Sequence, residues 1–207
     1  MQFINKKLSM PVQVEDWVKN EKPNGWTLGK DYKDGYEILR EQLRPEQKNL
    51  CCYCCQALET QVTIEHVKSR NLYPALTYDY NNLLLSCKTP KQCDNAKGNQ
   101  ELDLNPLMIE CDIEIKINLA GELESKSTRA EQAITILNLN NPTLCNKRKA
   151  KIDMISFTFD PSSANIPIKI MDRENLDTIL QAFSDTVELR YSPMSRPNNH
   201  KTKIELG

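Results

Sequence analysis

Six of the chain's eight cysteines fall between Cys51 and Cys93. The run Cys51-Cys52-Tyr53-Cys54-Cys55 contains two overlapping C-x-x-C frames, Cys51 with Cys54 and Cys52 with Cys55, and the pair Cys87 and Cys93 follows. Two thiolates from a tight turn and two from a later one can close a tetrahedral site around zinc. A four-sulfur site leaves no open position, so such a zinc is structural. Free cysteine also serves as a small buried hydrophobe, which is the reading taken for the isolated Cys111 and Cys145. Two clusters at ligand spacing favour zinc elsewhere, in either frame of the first cluster. A thioredoxin-like pair is disfavoured, because no βαβ pattern surrounds the motif and a second pair is present.

Between the clusters stand Ile64-Glu65-His66 and Asn82-Leu83. A neutral His66 imidazole can take a proton from water, its ordinary pKa being about 6.5. On a strand Glu65 points to the opposite side from His66 and is free to serve a hard cation. Asp94, directly after Cys93, could join it on one Mg²⁺ or Mn²⁺, which prefer oxygen ligands. Each residue also has a structural reading: a hydrogen-bonded core histidine, a surface acid, and a helix-start acid favoured by the dipole.

The elements that must position these groups are short. Val62 to His66 is β-branched and strand-like, and Leu83 to Ser86 is an apolar run leading to Cys87. The stretch from Asn71 to Tyr80, with Pro74 and several tyrosines, reads as a loop. A short helix runs from Cys93 until Gly98 ends it. Residues 31–50 have a helical rhythm in Tyr36, Leu39 and Leu43, with Pro45 breaking or restarting it. Residues 1–30 look irregular, with Trp17 and Trp26 as pins. After Pro106, Ile113, Ile115 and Ile117 alternate toward a hairpin with Gly121 in the turn. Residues 127–138 form a helix capped by Ser127 or Thr128, with Ala130, Ile134 and Leu137 on one face. Asn140-Asn141-Pro142 ends it, and a basic helix follows. A further amphipathic helix is expected over 172–189, then a polar tail from Ser192.

The chain is 207 residues with a net charge of −1, 39% hydrophobic and 27% charged. This suits one soluble domain with a core of its own, or one small module with elaborations. No overall basic field advertises nucleic acid, so any such binding uses a local patch or a partner. No apolar run is long enough for a membrane span, and the N-terminus has no secretory h-region. The expected compartment is the reducing cytoplasm, where close cysteine pairs favour metal over disulfide. The best local phosphate contacts are Lys147, Arg148 and Lys149, with a solvated helix face as the equal alternative. No nucleotide-binding loop is present.

The stretch 51–98 resembles the HNH endonuclease family. The resemblance rests on Cys51-Cys52-Tyr53-Cys54, then Glu65-His66, then Asn82-Leu83-Leu84-Leu85-Ser86-Cys87, then Cys93-Asp94-Asn95-Ala96-Lys97. It is closest to the PtuB-like branch, the nuclease subunit of Septu and some retron anti-phage systems. That branch shares a Trp-containing N-terminal segment and a Leu-Asn-Leu-Asn step, here Leu137 to Asn140, ahead of a basic helix. The resemblance implies an α+β protein whose ββα-metal nuclease core, with structural zinc, is embedded in a mainly helical single domain. The parts are a wrapping segment and helix over 1–50, the core over 51–105, a hairpin and helical region over 106–190, and a tail over 191–207.

By the same resemblance Cys51, Cys54, Cys87 and Cys93 hold zinc, Tyr53 then directly preceding the second ligand; Cys52 and Cys55 are the alternative frame. His66 is the general base, Asn82 orients it through the loop or the ring, and Glu65 and Asp94 hold a catalytic Mg²⁺ or Mn²⁺. The last metal position of the family is usually His or Asn, so Asn95 stays a rival to Asp94. Lys97 is a phosphate contact. The substrate implied is DNA and the partner a PtuA-like ATPase. The alternatives are a non-catalytic zinc module binding nucleic acid or protein, an RNase toxin using the same site, and, more distantly, a thiol oxidoreductase.

Overall fold

The structure is a computed structural model that describes residues 1–59 and 61–159, with side chains through Asp153. The helix expected over 172–189 and the tail from Ser192 lie outside the described residues. The first 30 residues are not irregular throughout: α1 spans Val12–Glu21. Its start carries no side-chain cap, Pro11 simply presetting the entry, so the usual N-terminal signal is missing from the sequence. It stops at Lys22 in the left-handed conformation, whose N–H returns to the Val18 carbonyl.

Helix α2 is the single turn Leu28–Asp31, and α3 runs Lys33–Glu46 with Leu39 and Leu43 fully buried. Pro45 neither breaks nor restarts α3. It lies in the last turn, one residue before the end. The ring pairs Trp17–Tyr32 (6.0 Å), Trp17–Tyr78 (6.1 Å) and Trp26–Tyr78 (5.1 Å) pin these helices to the segment between the strands.

Strands β1 (Val62–His66) and β2 (Leu83–Cys87) pair antiparallel with Ile64 opposite Leu85 and His66 opposite Leu83. Leu83, Leu84 and Leu85 are all fully buried, as expected of a strand covered on both faces. The connection between them is not structureless, since it forms 3₁₀ turns at Pro74–Leu76 and Tyr80–Asn82. On the outer side of β2, the buried Gln47 side chain donates to the Leu85 carbonyl (2.9 Å) and accepts from the Leu85 N–H (2.6 Å). Helix α4 follows over Cys93–Lys97, and Gly98 at φ 53° terminates it.

The next turn, α5, is Cys111–Glu114, ahead of the small hairpin β3 (Ile115–Ile117) and β4 (Leu123–Ser125). The hairpin is shorter than the isoleucine alternation suggests. Ile113 belongs to the helical turn and is 61% exposed, whereas Ile115 and Ile117 are buried. Helix α6 is Thr128–Ile136, capped by the Ser127 hydroxyl, which accepts from the Ala130 N–H. Asn141 caps α7, Pro142–Phe159, by accepting from the Leu144 N–H. One apolar core runs from Val14 and Leu39 through the β1–β2 pair to Leu137, Leu139 and Ile152.

Candidate metal and catalytic centre

The tight turn at Cys51–Cys55, the end of β2 and the start of α4 bring four sulfurs together. The Sγ atoms of Cys51, Cys54, Cys87 and Cys93 all lie within 4.8 Å of one another, with Cys54 and Cys87 at 3.9 Å. Thiolates at about 2.3 Å from zinc at tetrahedral angles stand roughly 3.8 Å apart, so the donor set fits that ion. Cys52 and Cys55 lie outside this group. The surroundings also suit thiolates. The Gln92 amide, 6% exposed, reaches the sulfurs of Cys87 (3.6 Å), Cys93 (3.9 Å) and Cys54 (4.0 Å), and the Cys87 N–H donates to Cys51 Sγ (3.4 Å). Burial opposes ionisation of Cys51, yet hydrogen bonds with Cys52 first, and then with Cys54, Cys87 and Cys93, hold it well below the usual thiol range.

Sequence reasoning missed Gln92. Its only signal was its place directly before a ligand cysteine. The Leu-Asn-Leu-Asn step explains how the second turn is held. Cys93 N–H donates to the Leu137 carbonyl (3.0 Å), Asn138 donates to the Lys91 carbonyl (2.8 Å), and Asn140 brackets both backbone groups of Leu123.

His66 ends β1 and is 6% exposed, with the Trp26 ring edge-on at 4.6 Å. Its Nε2 stands 3.0 Å from the Thr77 carbonyl. A carbonyl only accepts, so Nε2 carries the hydrogen and the neutral ring keeps its lone pair on Nδ1. Burial lowers the imidazole pKa to about 4, with the Thr77 carbonyl opposing and Arg70 and Lys97 adding to the shift. The ring is therefore an unprotonated base at neutral pH. Asn82, 5% exposed, makes no hydrogen bond to the ring among the described residues. Its Oδ1 accepts from the Lys68 N–H (2.7 Å) and its Nδ2 donates to the Lys68 and Leu76 carbonyls (3.1 Å each), which fixes the loop leaving His66.

Glu65 faces the other side of β1 and is 3% exposed. Its Oε1 accepts from the Tyr53 hydroxyl (2.7 Å) and pairs with Lys97 Nζ (2.8 Å). Burial and the adjoining Asp94 carboxyl push its pKa up to about 8, against the pull of Lys97. Asp94 thus lies near enough for its carboxyl to act on Glu65, whereas Asn95 is turned to the Lys91 N–H (2.6 Å). Neighbouring carboxyls in a buried site favour a proton or a cation between them, and an all-oxygen pair suits Mg²⁺ or Mn²⁺.

Two of the expected phosphate contacts are buried. Lys97 is 1% exposed, its ammonium held by Glu65 and by the His66 carbonyl (3.0 Å), so it faces inward. Arg148 is 3% exposed and donates to the Gly121 and Leu139 carbonyls, tying α7 to the hairpin turn. Lys147 and Lys149 are exposed, Lys149 paired with Asp153 at 2.9 Å.

No family model matches the chain. The resemblance to HNH endonucleases is nonetheless borne out by a curated relative. That relative, named Retron Vc95 putative HNH endonuclease, comes from Vibrio cholerae serotype O1 biovar El Tor. It is 24% identical over 174 residues, covering 75% of this chain and 84% of its own length. Among the described residues no helix is long and apolar enough to cross a membrane.

Proposed function

We propose that the chain is a metal-dependent HNH endonuclease that hydrolyses phosphodiester bonds of DNA, built on a zinc-stapled ββα-metal core. The observation that carries this reading is the placing, at one end of β1, of a buried histidine whose Nε2 faces the Thr77 carbonyl next to the Glu65 carboxyl and its neighbour Asp94. His66 Nδ1 takes the proton of the attacking water. Thr77 keeps the tautomer and Asn82 keeps the loop in place. A divalent cation on Glu65 and Asp94 would neutralise charge on the scissile phosphate and stabilise the leaving 3′-oxygen. Cys51, Cys54, Cys87 and Cys93 hold the structural zinc.

We further propose that it works in the cytoplasm as the nuclease effector of an anti-phage system, of PtuB or retron type, with a PtuA-like ATPase. The relative's retron name and the near-neutral charge, which leaves targeting to a partner, support this. The test is cleavage of duplex DNA, with RNA as a rival substrate, in Mg²⁺ or Mn²⁺, with and without the ATPase. His66→Ala should lower the rate about 10²–10⁴-fold while leaving one zinc per chain. Full metal-dependent cleavage by that variant would sink the assignment.

A further inference from the structure

Both partners of Glu65 are delivered by the zinc-binding turns. Tyr53 lies inside the first turn, between Cys51 and Cys54, fully buried, and its hydroxyl donates to Glu65 Oε1 at 2.7 Å. Lys97 lies on α4, the helix that opens at Cys93, and reaches the same oxygen at 2.8 Å while donating to the His66 carbonyl at 3.0 Å. One oxygen of the carboxylate is thus gripped from both cysteine turns. The other, Oε2, accepts no hydrogen bond from a protein donor among the described residues.

We infer that Tyr53 and Lys97 are positioning residues: they clamp Glu65 Oε1, leave Oε2 to the divalent cation, and so make the geometry of the cation site depend on the zinc staple. This rests on the nuclease reading above. A purely structural role would need neither residue to meet the same oxygen. Lys97 also fixes the backbone of the general base, so a single ammonium sets the spacing between base and acid. Arginine keeps the charge but cannot reproduce that short two-point grip.

The test measures Mn²⁺ binding by electron paramagnetic resonance on the zinc-loaded, full-length His66→Ala protein, so that cleavage plays no part. Adding Tyr53→Phe, which removes only the hydroxyl, should weaken Mn²⁺ binding about tenfold at unchanged zinc content, and Lys97→Arg should weaken it similarly. Binding within twofold of the parent in both variants would overturn the inference. So would loss of zinc from Tyr53→Phe, which would assign the hydroxyl to the fold and not to Glu65. If the parent binds no Mn²⁺ while Glu65 and zinc are intact, the two-carboxylate cation site itself falls, and the clamp with it.

Discussion

At the scale of single residues, the side chain that does most through others is Asn82. It makes three hydrogen bonds to the backbone of the β1–β2 connection, at Lys68 and Leu76, and none to the imidazole among the described residues. Asn82→Ala should therefore destabilise the protein by about 2–3 kcal/mol, the cost of leaving buried backbone groups unpaired. It should also slow cleavage without changing zinc content, as urea unfolding, metal analysis and rate measurements can check. The cysteine spacing and the Glu65-His66 step were readable in the sequence because ligand spacing and motif order are local properties. The inward turn of Lys97 and Arg148 was not. A lysine or arginine reads as solvated until its partners are known, and Glu65, Leu139 and Gly121 reach them only through tertiary packing. Gln92 escaped for the same reason.

At the scale of elements, the β3–β4 turn packs closely on α7. Gly121 has φ +82°, and a Cβ there would lie 2.2 Å from the Cys145 carbonyl oxygen and 2.7 Å from the Lys149 nitrogen. Both are helix backbone and cannot swing aside. Gly121→Ala should cost more than about 3 kcal/mol, combining left-handed strain with a steric clash. It should appear as a lowered thermal midpoint and earlier proteolysis within α7, and an unchanged midpoint would refute the contact. Strands β1 and β2, α4 with its Gly98 stop, and the Ser127 cap were all legible, because each carries a strong local signal. Helix α1 was hidden by its missing cap. Ile113 misled because alternation ignores that Cys111–Glu114 closes a helical turn first.

At the scale of the whole molecule, stability in acid should carry the mark of Glu114. Its pKa is held at about 2, below the ordinary 4.5, first by Arg129 and then by Ser127. The folded carboxyl is depressed, so this link contributes fully above about pH 4.5 and is lost as pH falls toward 2. The urea midpoint of the wild type should exceed that of Glu114→Gln at neutral pH, and the gap should close over that window. Taking the difference between the two proteins cancels the shared protonation of the zinc thiolates; a gap independent of pH would exclude the link. The Gln47 amide has a consequence at this scale too. By pairing with both backbone groups of Leu85 it takes the place a third strand would occupy along β2. A two-stranded ribbon ordinarily invites edge-to-edge recruitment of another chain. Here that invitation is withdrawn by Gln47 together with the Lys6 ammonium on the Leu83 carbonyl and the Cys51–Cys52 turn on Leu85 and Cys87, so filament growth or domain exchange through the β2 edge would first have to expel all three.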